Sequence, residues 1–129
     1  MDSEFNPNNI QEILKFLPIF DEPGFVFTRP DPEGGWEYWE APELNHFVST
    51  LYKTDFLVEF SWPDWQDKAL QYYKNPSLLE HADLTTIRKL LTLHVRKDRF
   101  FDGHLSSMCE DGHIQSILRR LEIIFSENL

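Results

Sequence analysis

His94, Asp98, Asp102 and His104 are the side chains whose types and spacing best suit chemistry. Positions 94 and 98 are about one helical turn apart, so a helix reaching that far puts imidazole and carboxylate on one face. Asp102 and His104 then complete a set of two imidazoles and two carboxylates. That set suits a divalent metal, yet its spacing matches no zinc or dinuclear pattern, and a histidine near a helix C-terminus is commonly a capping or dipole-stabilised group. Neither a metal nor a cofactor is expected. In a catalytic reading, His94 and His104 act as general acid and base with Asp98 or Asp102 assisting, against the plainer alternative of hydrogen-bonded structural histidines.

Arg96 and Arg99 form a second constellation with Asp98 and Asp102. Guanidinium forks hold phosphate or carboxylate bidentately, so Arg96, Arg99, His94 and His104 are the expected binding set for an anionic ligand such as a nucleotide. The alternative is a salt-bridge lattice that ties this segment to the acidic N-terminal half. Charge is sorted along the chain in a way that feeds either reading. Residues 83–120 hold seven of the twelve Lys and Arg and three of the five His, whereas residues 1–82 carry fifteen acids against five bases. Arg119 and Arg120 belong to a solvated helix face or an anion contact. Cys109 reads as a small buried apolar residue, with His113 the only local candidate to activate its thiol.

The elements that must position these groups are mainly helical. Asn6 and Pro7 cap a helix with Ile10, Ile13, Leu14 and Leu17 on one face, ending at Pro18. Phe25–Phe27 and Trp36–Trp39 flank a turn-rich loop and predict a small extended hairpin. Leu44, Phe47, Val48, Leu51 and Tyr52 have helical spacing behind Pro42. Asp64 is expected to cap a helix running to about Lys74 with Trp65, Leu70 and Tyr73 inward. Asp83 caps the helix carrying Leu84, Ile87, Leu90, Leu91 and Val95, with Arg96 and Lys97 near its C-terminal end. Asp102-Gly103 bends the chain before a short helix from His104 to Glu110. A last helix follows Gly112 with a broad apolar stripe from Ile114 to Phe125.

The stretch from Ala82 to Leu105, followed by Glu110 to Leu121, resembles a bacterial family classed only as a domain of unknown function. In that family L-R-K-L-L-T-x-H-V-R leads into D-R-F-x-x-G-H-L and then G-x-I-x-x-I-L-R-R-L. The similarity rests on Leu90 to Thr92, His94 to Arg96, Asp98 to Phe100 and Gly103 to Leu105. It continues through Gly112, Ile114 and Ile117 to Leu121. With the Trp62-Pro63-Asp64-Trp65 element, it covers residues 10–125. The resemblance implies no activity, cofactor or catalytic residue.

The predicted fold is one mainly α domain over residues 1–129, an irregular bundle of five or six helices with a small N-terminal extended hairpin. The two long C-terminal helices should form its centre. A net charge of −10 disfavours long-range attraction to nucleic acid. An acidic DNA-mimic inhibitor remains a third reading, weakened by acids scattered singly among aromatics. One cysteine excludes an internal disulfide, and the N-terminus MDSEFNPNNI lacks the basic head and apolar run of a signal peptide. A cytoplasmic protein without a membrane span is expected. The aromatics Trp36, Tyr38, Trp39, Trp62 and Trp65 are either packed core or a recognition surface. The expected function is a small binding or regulatory module whose Arg/His-rich loop contacts a protein or a small anionic ligand. The alternative is an enzyme acting on an anionic, nucleotide-like substrate.

Overall fold

The computed structural model describes residues 6–30, 33 and 38–127. Their helices are α1 (Pro7–Leu14), α2 (Phe16–Phe20), α3 (Pro42–Lys53), α4 (Gln66–Lys74), α5 (Leu84–Asp98), α6 (His104–Glu110) and α7 (His113–Glu127). Two 3₁₀ turns, Trp62–Trp65 and Pro76–His81, flank α4. The architecture is mainly α, with one helix more than the upper expectation. The extra helix arises at Lys15, where the first helix breaks and restarts. Pro18 does not end it, because it sits in the first turn of α2, where a missing backbone N–H forfeits no intrahelical bond.

The hairpin is present but displaced. β1 (Thr28–Pro30) pairs antiparallel with β2 (Tyr38–Glu40), Thr28 opposite Glu40 and Pro30 opposite Tyr38. The expected first arm, residues 25–27, instead supplies rings to the core. Phe27 and Phe25 lie 4.8 Å apart, and Phe20 packs on Phe27 at 5.6 Å and on Phe47 at 5.4 Å. Such ring pairs contribute about 1 kcal/mol each beyond the area they bury. In the second arm, Trp36 and Glu37 lie outside the described residues.

α5 is the central element. Asp83 caps it by accepting from the Thr86 amide at 2.8 Å, a bond that also holds the Asp83 carboxyl below its ordinary range. Leu90 to Val95 are six consecutive buried residues, so the middle of α5 is enclosed on every side. α7 packs along it with Ile114, Ile117, Leu118 and Leu121 fully buried, as the apolar periodicity predicts. Thr92 fits this interior because its hydroxyl donates to the Arg88 carbonyl at 2.7 Å and accepts from the Val58 amide at 3.0 Å. A connected apolar cluster runs from Ile10 to Leu121.

α4 departs from expectation at its start and on its inner face. Asp64 accepts a hydrogen bond from Ser61 at 2.7 Å and takes part in the 3₁₀ turn, so it is not the cap of α4. Ala69 is the buried residue of α4, while Leu70 is 46% exposed, because the helix stands off from α5 and leaves a hollow between them. Among the described residues no helix is long and apolar enough to cross a membrane.

Candidate functional site

α5 continues through Asp98, which puts His94 and Asp98 on one helix as the spacing anticipated. Gly103, at φ 87°, then reverses the chain in the left-handed region that side chains with a Cβ adopt only with strain. The reversal lays α6 back against α5. Asp98 fixes it in place: its carboxylate accepts from the Leu105 amide at 2.9 Å, satisfying a free amide at the start of α6. His104, the first residue of α6, is thereby brought to His94. Their Nδ1 (His94) and Nε2 (His104) atoms are 2.9 Å apart and their rings stack at 5.2 Å.

A third imidazole joins from α7. His113 meets His94 edge-on at 5.1 Å and meets the Tyr73 ring edge-on at 5.3 Å. The Tyr73 hydroxyl donates to Asp111 at 2.5 Å. The result is a chain of side chains, His104, His94, His113, Tyr73 and Asp111, contributed by α4, α5, α6, α7 and the turn before α7. His94 and His113 are 4% and 5% exposed, and the Nε2 of each has no hydrogen-bond partner among the described residues.

Burial sets the electrostatics. Desolvation, reinforced by the charges of His113, His104 and Lys97, holds His94 well below the usual imidazole range. The same cause lowers His113 to about 4. His104 is also lowered, by burial and by Lys97, against the opposing pull of Asp98. All three are neutral at pH 7. Tyr73 is shifted upward because Asp111 accepts the phenol proton's hydrogen bond and adds negative charge.

A chamber of about 480 Å³ opens between α4, α5 and α6, with His94, His104, Lys97 and Ser107 on one side and Gln66, Leu70 and Tyr73 on the other. Its size falls in the range of small-molecule sites. Lys97 makes no ion pair among the described residues; its ammonium lies 5.8 Å from the centre of the Phe101 ring. Asp67 and Asp111 also line the chamber, the latter held by Tyr73. Asp102 lines an adjoining groove together with His104.

The two arginines expected beside the imidazoles lie elsewhere. Arg99 donates to the Tyr52 hydroxyl at 2.7 Å, and the guanidinium of Arg96 stands 5.9 Å from the Tyr52 ring. Among the described residues neither Arg96 nor Arg99 makes an ion pair to the N-terminal half; Arg119 pairs with Asp21 at 2.8 Å, while Arg88 and Arg120 donate to backbone carbonyls. His113, Tyr73, Asp111 and Lys97 were not singled out with the site. For His113 a signal existed, since 94, 104 and 113 fall on three consecutive elements. Cys109 is buried and its thiol is pushed up by desolvation, and His113 packs on His94 and Tyr73.

Among the described residues no group of three or more His, Cys, Asp or Glu has the arrangement to hold a metal ion. Of the aromatic set, Trp36 and the Tyr38 side chain lie outside the described residues; Trp39 lies under Arg29 at 4.0 Å, Trp62 near Phe100 at 5.9 Å, and Trp65 near Phe60 at 5.7 Å.

No curated protein and no solved structure matches the chain. A family model does, over residues 5–127, spanning the hairpin, the three-histidine chain and the chamber. The chain belongs to the Family of unknown function (DUF6508).

Proposed function

We propose that this protein is a single-domain binding or regulatory module whose ligand is a small anion held in the chamber between α4, α5 and α6. The carrying observation is the His94–His104 pair, linked at 2.9 Å on the wall of a 480 Å³ hollow beside a lysine with no ion pair among the described residues. The tautomer follows from bonding. A buried N–H without a partner is rarer in proteins than a buried unpaired acceptor, so the unpartnered Nε2 of His94 is best read as the bare nitrogen. His94 then donates from Nδ1 to His104 Nε2, and the proton of His104 sits on Nδ1. In that state His104 offers a neutral donor, and Lys97 a charge, to an anionic group.

A second reading, an enzyme acting on an anionic substrate, draws on the same pair. With the opposite tautomer, His104 Nε2 donates to His94 and its bare Nδ1 is a general base, with His94 as the positioning residue. That state buries an unpaired N–H on His94, which ranks it second.

Thermal-shift screening with inorganic phosphate, nucleotides and carboxylates tests the binding reading. At 100 times the dissociation constant a ligand stabilises by about 2.7 kcal/mol, a readily measured rise in melting temperature. Lys97→Ala and His104→Gln should abolish that rise, while Arg99→Ala leaves it intact. The absence of a shift with every anion would overturn the reading.

A further inference from the structure

The chamber has a neighbour. An open groove of about 470 Å³ is lined by Trp62, Phe101, Asp102 and Gly103, and it shares Gln66, Lys97, His104 and Ser107 with the chamber. The four shared residues are all polar, and they form a neck between the two hollows. On the outer side the character changes. Phe101 is 60% exposed and Phe100 71%, side by side in sequence, with Trp62 tilted against Phe100. Adjacent exposed aromatics beside a lysine with no ion pair among the described residues are the kind of surface that marks a contact site, whereas scattered single ones are ordinary.

We propose that the ligand is an aromatic anion of the nucleoside-phosphate class, its ring against Phe101 and Trp62 in the groove and its phosphate at the neck formed by Lys97, His104, Ser107 and Gln66. This rests on the reading of the chamber as an anion site. The chemistry divides cleanly between the two regions. The neck supplies a charge, an imidazole, a hydroxyl and an amide, which match phosphate oxygens. The groove supplies two aromatic side chains for a planar ring. Stacking on aromatic side chains tolerates any base, since every base has a π-face. Asp67 and Asp111, which would repel a phosphate, line the chamber and not the groove; the groove lining carries one carboxylate, Asp102, so an anion entering from the groove faces fewer like charges than one entering from the chamber.

Isothermal titration at low salt with adenosine monophosphate, ribose 5-phosphate and inorganic phosphate separates the terms. Adenosine monophosphate is expected to bind about tenfold or more tightly than ribose 5-phosphate, from the stacking of one base. Phe101→Ala should bring the two within about twofold of each other and leave ribose 5-phosphate binding unchanged. Phe100→Ala, which alters a ring outside the groove lining, should preserve the difference. Both side chains are mostly in solvent, so neither change threatens the fold. Equal affinities for adenosine monophosphate and ribose 5-phosphate, or equal losses in the two variants, would overturn the ring assignment and leave the anion site standing. Failure of all three compounds to bind would overturn both.

Discussion

Replacing His113 by phenylalanine should make the protein markedly more resistant to acid. In the native state His113 is enclosed by Tyr73 and His94 and holds its proton only below about 4, against 6.5 for a free imidazole. Above pH 6.5 the ring is neutral in both folded and unfolded chains and contributes nothing pH-dependent. As pH falls from 6.5 toward 4, the unfolded chain binds a proton that the folded one refuses, so stability drops with pH in that window. At about 1.4 kcal/mol per pH unit the full loss is roughly 3 kcal/mol, and about 2 kcal/mol of it has occurred by pH 5. For a chain of this size that is a fall of about 8 °C in melting temperature. His94 titrates in the same sense and deepens the wild-type loss. Asp83 and Glu12, whose carboxyls are lowered from values near 4, contribute only at lower pH. Urea unfolding at pH 8 and pH 5 for the wild type and His113→Phe gives the comparison directly, with His113→Gln as a check on ring packing. The variant should lose about 2 kcal/mol less than the wild type between the two conditions. An unchanged loss in both variants would refute the claim that the buried imidazole is held neutral.

Gly103→Ala forces a Cβ into φ 87° and should cost about 1–2 kcal/mol by urea unfolding, with weakened ligand response because α6 carries His104; an unchanged protein would mean the reversal is not strained. In a spectrophotometric titration Tyr73 should ionise above 10, and Asp111→Asn should return it toward 10, since the carboxylate is what holds the phenol proton. Cys109 should resist a thiol reagent at pH 8 in the folded protein and react on unfolding, because burial keeps it in the thiol form. Phe47→Ala removes a ring packed on both Phe16 and Phe20 and should cost about 3–5 kcal/mol.

Much of the architecture was written in local pattern. The stripe from Ile114 to Phe125, the cap at Asp83 and the breaks at Gly103 and Gly112 each depend on neighbours within a few residues, and all three appear in the fold. The His94–Asp98 spacing belongs to the same class, because one helix suffices to place both residues. Two expectations failed for different reasons. Pro18 turned on whether a particular backbone N–H was needed, whereas the first strand moved because Phe25 and Phe27 are drawn into the core, which local propensity does not settle.

The site divides along the same line. Sequence could supply the imidazoles and the cations, and could say that residues 94 to 104 bend back on themselves. It could not decide which charged groups converge. A helix projects successive side chains at about 100° intervals, so Arg96 and His94, two residues apart, point to different sides of α5. One meets Tyr52 on α3, and the other meets His104 on α6. His113 makes ring contact with both His94 and Tyr73; the three residues lie on three different helices, and only the packing of α4 and α7 around α5 brings them together.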